Sequence, residues 1–295
     1  MVIRKLAAID IGSNAIRLLI HNVIEEEGKN PQFRKNALIR VPIRLGEDSF
    51  TIGEISDRNQ ERIVKAMHAF KLLMEVHGVE KYMACATSAI REANNGQEVV
   101  ERVYDESGIK IEVIDGKKEA SIIASTDLKN LMQSDITYLY VDVGGGSTEF
   151  TLFSGNKVLV SKSFKIGTVR LLNNLVSDSI WTQIKDWVTT HVKTYQKVEI
   201  IGSGGNINKL HKMSGRKQGQ PLSYIWLNAQ YHFLDSMDYD DCVAELGLNP
   251  DRADVIVPAT RIFLSAAKWS GAKKIHVPQI GLSDGIIKTL YYRES

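Results

Sequence analysis

Two stretches decide how this chain folds: Leu6-Ala-Ala-Ile-Asp-Ile-Gly-Ser-Asn14 and Tyr138-Leu-Tyr-Val-Asp-Val-Gly-Gly-Gly-Ser-Thr-Glu149. Each is a short apolar run that ends at Asp-x-Gly, turns on small residues, and continues into alternating apolar and polar positions. The first run reads as a buried strand over Leu6–Ile11, a tight turn at Gly12-Ser13-Asn14, a second strand over Ala15–Val23 and a third over Ala37–Leu45. The second run repeats this as strands over Tyr138–Val143, Glu149–Phe153 and Lys157–Phe164. Asp10 aligns with Asp142, Gly12 with Gly144, Leu18 with Phe150 and Ile20 with Leu152, all at one offset. A repeat this distant points to two copies of a domain, because solenoid periods are roughly 20–50 residues.

The segments between and after the copies alternate helix and strand. Ile63, Met67, Phe70, Leu73 and Met74 fall at helical spacing, so Ser56–His77 is predicted as a helix with Ser56 as N-cap and Gly78 as the stop. A strand at Tyr82–Ala86, a helix at Gln97–Ser107 closed by Gly108, a strand at Ile109–Ile114 and a helix at Asp115–Leu131 follow. After the second copy the pattern gives a helix near Ile180–Tyr195, a strand at Val198–Ile201 and a helix opened by Gly202-Ser-Gly-Gly-Asn206. Helices at Leu227–Met237, Tyr239–Leu246 and Arg252–Ser270, a strand at Ile275–Val277 and a helix at Ser283–Tyr292 complete the chain.

Composition narrows the function. At roughly 100–200 residues per domain, 295 residues suggest two domains. Hydrophobic content of 43% and charged content of 24% are ordinary for a globular protein. With 37 basic against 35 acidic residues the net charge is +2, so no general field is expected to hold nucleic acid. Two cysteines, Cys85 and Cys242, make no disulfide framework and fit a reducing compartment. The apolar run at the start is too short for a signal peptide, and no apolar stretch reaches the roughly 18 residues of a membrane span. A cytoplasmic protein without membrane contact is expected. The seven histidines form neither His-x-His nor His-Glu-x-x-His, so no zinc site is expected.

The loops suggest anion chemistry. Glycine lets backbone N–H groups approach a ligand closely, and successive N–H groups form an anion-binding nest. Ser13, Asn14, Ser147 and Thr148 add short side-chain donors, and the Asp carboxylates can hold a divalent cation that in turn holds phosphate oxygens. Either loop alone reads equally as a hairpin turn. The pair, joined by the Gly202–Gly205 segment at a helix N-terminus, favours phosphate binding. No Gly-x4-Gly-Lys-Ser/Thr loop is present, and Gly202-Ser-Gly-Gly-Asn-Ile lacks the third glycine of a dinucleotide fingerprint. On its residues alone, Glu119 reads as an acid complementing a helix dipole, an effect of about 0.3–1 kcal/mol. Arg91 likewise reads as a loop charge.

Taken in order, the motifs resemble a known family. Ala8-Ile-Asp-Ile-Gly-Ser-Asn-Ala-Ile-Arg17, Arg44-Leu-Gly-Glu47, Ala86-Thr-Ser-Ala-Ile-Arg-Glu-Ala-Asn-Asn-Gly96, Val141-Asp-Val-Gly-Gly-Gly-Ser-Thr-Glu149, Gly167-Thr-Val-Arg-Leu171, Gly202-Ser-Gly-Gly205 and Arg252-Ala-Asp-Val-Ile-Val257 are similar to those of the exopolyphosphatase / guanosine pentaphosphate phosphohydrolase (Ppx/GppA) family, in its short two-domain form. The resemblance implies an α/β fold of two ribonuclease-H-like domains, of the actin and sugar-kinase ATPase type, with a cleft between them. Domains of 1–124 plus 285–295 and of 125–284 are expected. It implies hydrolysis of the terminal phosphoanhydride of inorganic polyphosphate, or of the 5′ γ-phosphate of pppGpp, with Mg2+. The family's Gly-x-x-Glu-Ala pattern falls on Gly116-Lys-Lys-Glu-Ala120, which makes Glu119 the catalytic base, with Arg91 beside it in the chemistry. Asp142 and Glu149 fall to the metal. Asp10, Gly12, Ser13, Asn14, Gly144, Gly145, Gly146, Ser147, Thr148, Lys165, Arg170, Gly204 and Gly205 fall to phosphate. Homodimers are common in the family. Two departures stand out: Lys117-Lys118 replace the acidic residue that many relatives carry before the Glu, and Ser283-Asp284 stand where the family often has Arg-Glu. The competing readings are a kinase or ATPase of the same superfamily and a non-catalytic polyphosphate or alarmone sensor.

Overall fold

The computed structural model describes residues 1–126, 128, 131–155 and 157–293, and the chain divides into two compact units, Met1–Thr126 with Leu282–Ser295, and Asp127–Gly281. The first unit opens with a meander, β1 (Val2–Ile11), β2 (Ile16–Glu25) and β3 (Gln32–Val41), followed by α1 (Leu45–Thr51), α2 (Asp57–His77), β4 (Lys81–Ala86), α3 (Ser88–Glu92), α4 (Gly96–Ser107), β5 (Ile111–Val113) and α5 (Gly116–Ala124). The second unit opens with β6 (Thr137–Val143), β7 (Thr148–Ser154) and β8 (Lys157–Phe164). It continues through α6 (Thr168–Leu172), α7 (Asp178–Val192), β9 (Val198–Ser203), α8 (Gly205–Met213), β10 (Leu222–Ser223), α9 (Tyr224–Asp235), α10 (Tyr239–Ala244), α11 (Pro250–Ala253), α12 (Ile256–Ser270) and β11 (Lys274–His276). The final helix, α13 (Leu282–Tyr292), packs on β1, β4 and α5 and so belongs to the first unit.

The sheets have matching topologies. The first runs β3-β2-β1-β4-β5, antiparallel through the meander and parallel from β1 to β4 to β5. The second runs β8-β7-β6-β9-β11, with β10 added at its edge, and carries the same parallel and antiparallel pairs. Meander, crossover helix and parallel strand in this order make each unit ribonuclease-H-like. The central strands are buried on both faces, Leu6–Ile11 in β1 and most of β6, as expected where helices cover a parallel sheet.

Local sequence explains much of this. The Ser56 hydroxyl caps α2 by accepting from the Asn59 amide at 3.4 Å, and Gly78 ends the helix in the left-handed region at φ 66°. Ile63, Met67 and Phe70 on its inner face join Ile9, Ile11 and Leu18 in one core. In the second unit Phe150, Phe164 and Trp187 meet edge to face at 5.7–6.2 Å beside Leu139, Ile200 and Phe263.

Three sequence expectations change. The expected strand Ala37–Leu45 is β3, Gln32–Val41, because Arg44 turns into the left-handed region (φ 65°) and Leu45 opens α1. The expected helix Arg252–Ser270 divides into α11 and α12. A helix running through would place Pro258 in its interior, where its ring meets the carbonyl of residue 254; starting at Ile256 puts Pro258 in the first turn, where its missing N–H costs nothing. The expected helix Asp115–Leu131 is observed as α5, Gly116–Ala124; positions 127, 129 and 130 of that expectation lie outside the described residues.

Both cysteines are buried and unpaired, and burial, aided by Glu112 and Asp10, pushes the Cys85 thiol up to about 12. Among the described residues no helix is long and apolar enough to cross a membrane. His21 on β2 is 4% exposed, and its ring nitrogens have no hydrogen-bond partner among the described residues. Asp284 lies 3.8 Å from its Nε2 and is itself paired with Lys35 at 3.0 Å. Burial, opposed by Asp284 and helped by Lys35 and Lys288, lowers its pKa from 6.5 to about 4. The folded ring is therefore neutral, whereas the unfolded ring takes a proton near pH 6.5. Stability should hold above about pH 6.5 and fall by about 3 kcal/mol as pH drops from 6.5 to 4. His21→Gln should flatten that stretch of a denaturant-stability curve against pH; an unchanged slope would remove His21 as its source.

Candidate active site

The first Gly-rich loop follows β1. The Gly12 amide donates to the Ala15 carbonyl at 3.2 Å, closing a tight turn that sets Asp10 directly opposite Arg17 in the β1/β2 ladder. Arg17 Nη1 donates to Asp10 Oδ2 at 3.0 Å, and the Ser283 hydroxyl donates to the same oxygen at 3.4 Å. Asp10 is 4% exposed. The loop is braced from outside: the amides of Arg44 and Gly46 donate to the carbonyls of Asn14 and Ser13 at 3.0 and 2.8 Å. The buried Ser13 hydroxyl shares a 3.0 Å hydrogen bond with Ser88 at the start of α3.

The second loop follows β6 with the same turn, the Gly144 amide donating to the Ser147 carbonyl at 3.0 Å. Here Asp142 faces Glu149 across β6 and β7. Side chains directly opposite in an antiparallel ladder share a face and lie about 5 Å apart at Cβ, and like charges there repel. Glu149 is 3% exposed, and its Oε1 accepts the hydroxyls of Ser147 at 2.7 Å and Ser163 at 2.9 Å; the Tyr140 hydroxyl donates to Asp142 Oδ2 at 3.2 Å. Two carboxylates aligned in this way fit a hard divalent cation, which would relieve their repulsion and draw further oxygens from water or a ligand. No group of three or more His, Cys, Asp or Glu side chains suited to a metal occurs among the described residues.

The loop backbone is held by its neighbours. The amides of Thr168 and Val169 donate to the carbonyls of Gly144 and Gly145 at 3.0 and 2.9 Å, Arg170 Nε donates to the Gly146 carbonyl at 2.8 Å, and the Thr148 hydroxyl donates to the Ile166 carbonyl at 2.6 Å. A Cβ at Gly167 would lie 2.6 Å from the Gly146 nitrogen, so only glycine fits against the loop. The third loop, Gly202–Gly205, backs onto Asp142: a Cβ at Gly204, whose φ is 111°, would come within 3.6 Å of Asp142 Oδ1. Gly205 opens α8, and Lys165 is exposed between β8 and α6.

Glu119 lies one turn into α5 in the first unit and is 8% exposed. Asp115 caps that helix by accepting from the Lys118 amide at 2.8 Å. The Arg91 guanidinium donates to the Ile114 carbonyl at 2.8 Å, tying α3 to the backbone that leads into α5. One turn beyond Glu119, Ile122 meets α13 so closely that a Cβ at Gly285 would lie 2.8 Å from its Cγ2 and closer still to its carbonyl oxygen. The site residues named from sequence therefore fall into two groups: Asp10, Gly12, Ser13, Asn14, Arg91 and Glu119 in the first unit, and Asp142, Gly144–Thr148, Glu149, Lys165, Arg170, Gly204 and Gly205 in the second. Arg91 and Arg170 each hold a backbone carbonyl as well as carrying charge. Arg17 and Ser283 were missed as site residues. The offset that aligns Asp10 with Asp142 also aligns Arg17 with Glu149, and that alignment was the available signal.

Two ribonuclease-H-like units, each with a Gly-rich turn after its central strand and an aspartate at that strand's end, define a duplicated α/β protein. Residues 33–294 match the Ppx/GppA phosphatase family, and the chain belongs to that family. A bifunctional 3-dehydroquinate synthase/phosphatase of Fusobacterium nucleatum is 30% identical over 92% of this chain, which spans 44% of that protein's length. Exopolyphosphatase 1 of Mycobacterium tuberculosis is 22% identical over 96% of this chain and 87% of its own length. Among solved structures, an exopolyphosphatase from Cytophaga hutchinsonii shares the fold with a TM-score of 0.85 at 24% identity, covering 98% of both chains. A Ppx/GppA family member from Aquifex aeolicus has a TM-score of 0.77 at 25% identity, covering 100% of this chain and 99% of its own.

The packing of Gly167 generates a direct test. Gly167→Ala should destabilise the protein by about 1–3 kcal/mol through overpacking. It should also speed amide exchange at Gly145–Ser147. Unchanged exchange there would show that the loop does not depend on this contact.

Proposed function

We propose that the chain is a phosphoanhydride hydrolase of the exopolyphosphatase type, releasing the terminal phosphate of inorganic polyphosphate or the 5′ γ-phosphate of pppGpp. The observation that carries the reading is the pair of carboxylates, Asp142 and Glu149, set opposite each other beside a braced Gly-rich loop. Membership of the Ppx/GppA phosphatase family and likeness to proteins named exopolyphosphatase support it.

In this reading Glu119 accepts a proton from a water as that water attacks the terminal phosphorus. The new P–O bond forms as the bond to the bridging oxygen breaks, and the electron pair leaves with the shortened phosphate chain. Glu119 is buried, and the cap at Asp115 fixes the start of the helix that carries it. Gly12, Ser13 and Asn14 in one unit, and Gly144–Thr148, Gly204, Gly205, Lys165 and Arg170 in the other, receive phosphoryl oxygens. Asp10 orders the first of these loops. Arg91 fixes the start of α5 and adds a charge near the base. Asp142 and Glu149 hold Mg2+, which when bound neutralises charge on the phosphoryl oxygens.

The test is a phosphate-release assay with Mg2+ across long polyphosphate, tripolyphosphate, pppGpp, ATP and GTP. Release from polyphosphate or pppGpp ahead of the nucleoside triphosphates is expected. Phosphate transfer to ADP would mark a kinase, and binding without release would mark a sensor; either result overturns the proposal. Glu119→Gln should lower kcat by at least roughly 100-fold, the scale of general base catalysis, while substrate binding persists. Retained turnover would remove Glu119 as the base.

A further inference from the structure

β1, β4 and β5 run parallel, so the segments leaving their C-terminal ends share one edge of the first sheet: residues 12–14 after β1, 87–92 after β4 and 114–119 after β5. β4 lies between the other two strands. At about 4.8 Å per strand, the first Gly-rich loop and the start of α5 are set roughly 10 Å apart. The middle segment holds both. On one side the Thr87 amide and hydroxyl donate to the Ile11 carbonyl at 3.1 and 3.4 Å, and Ser88 shares its 3.0 Å hydrogen bond with Ser13. On the other side the Ile114 amide donates to the Ala86 carbonyl at 2.9 Å, and Arg91 Nη1 donates to the Ile114 carbonyl at 2.8 Å. Ser88 and Arg91 stand three residues apart, which makes them neighbours on one turn of α3. A helix of five residues is not stable by itself; this one is tied at both ends and packed against α1.

We propose that Ser88 is a positioning residue: through Ser13 it holds the first loop at a fixed distance from Glu119, with α3 as the spacer. This rests on the reading of that loop as a phosphate cradle and of Glu119 as the base. The Glu119 amide donates to the Asp115 carbonyl at 2.9 Å, so fixing Ile114, the residue before Asp115, fixes the first turn of α5. Ser13 and Ser88 are each 3% exposed, and a hydroxyl left alone there gains little from solvent in exchange for the lost bond. The spacing matters because a water held by Glu119 must meet a phosphorus held by the loop at about 3–3.5 Å, and a shift of roughly 1 Å costs on the order of 100-fold. The amides of Arg44 and Gly46 brace the same loop from the side of α1. Without the Ser88 hydroxyl the loop therefore still binds phosphate but is set less precisely against the base.

The experiment measures phosphate release from tripolyphosphate with Mg2+ by the full chain and its variants. Ser88→Ala should lower kcat roughly 10-fold while KM moves by less than about twofold, because the loop still binds and is only misplaced. Ser88→Thr, which keeps a hydroxyl, should retain most of the wild-type kcat. Adding Ser88→Ala to Ser13→Ala should lower kcat no further, since both changes remove the same bond. Unchanged kcat in Ser88→Ala, with or without a lower thermal midpoint, would overturn the proposal. So would an additive double variant, or an equal loss in a Ser88→Thr variant of native thermal midpoint. Amide exchange keeps the test apart from the activity on which it rests. Inorganic phosphate should slow exchange at residues 12–14 in wild type and Ser88→Ala alike, and at residues 115–119 in the wild type alone. Slowing at 115–119 that is absent from the wild type, or that persists in Ser88→Ala, would overturn the spacer. Slowing at neither segment would instead remove the first loop as a phosphate site, a failure of the proposed function.

Discussion

The turn between the first two strands of each unit is the constraint on which the candidate site depends. Its single backbone hydrogen bond, Gly12 to Ala15 or Gly144 to Ser147, sets the register of the hairpin that follows. Because side chains alternate along a strand, a slip of one residue would turn Asp10 and Asp142 to the opposite face and replace both of their cross-strand partners. Glycine at 12 and 144 lets the chain turn directly against a carbonyl, with space for a Cβ only 3.2 and 3.0 Å from it. The same turn in two units thus fixes two Asp-centred pairs. Side-chain identity then makes one pair an ion pair and the other a pair of acids.

Several backbone segments around these turns are held by contacts that leave no room for a side chain. Gly46 lies against Ser13, Gly167 against Gly145 and Gly146, and Gly285 against Ile122. Arginine does a related job by a different route. Arg91 and Arg170 reach back to main-chain carbonyls and fasten the segments that precede Glu119 and follow Gly145. A cation used this way adds electrostatic potential and also fixes geometry, and replacing it with lysine would lose the planar fork of donors.

Much of the fold was legible in the residues because it is set locally. The Ser56 cap, the Gly78 stop and the apolar spacing between them mark α2, and the common offset of two Asp-x-Gly runs marks the duplication. The short helices α1, α3 and α6 were not foreseen. Each has five to seven residues, too few to be stable alone, and exists through tertiary contacts such as Gly46 to Ser13 and Val169 to Gly145. The break before Pro258 was legible in principle but is hidden by the apolar periodicity on either side of it. Within the candidate site, Glu119 was visible only through family resemblance, because its own neighbourhood in sequence suits a helix-dipole residue equally well. Ser283 was invisible for a different reason: its contact with Asp10 joins residues 273 positions apart, beyond any local pattern.

That long-range contact gives α13 a temporal consequence. The helix covers β1, crosses α5 and supplies Ser283 to Asp10, yet it is made only after the whole of residues 127–281. While the ribosome is still translating, β1 through α5 have emerged but lack one wall of their core. Residues 127–281 have meanwhile been completed as a unit with its own core. The order of synthesis is thus the reverse of the order in which the units can be finished. The first loop reaches its final hydrogen bonding only once the start of α13 has left the ribosome.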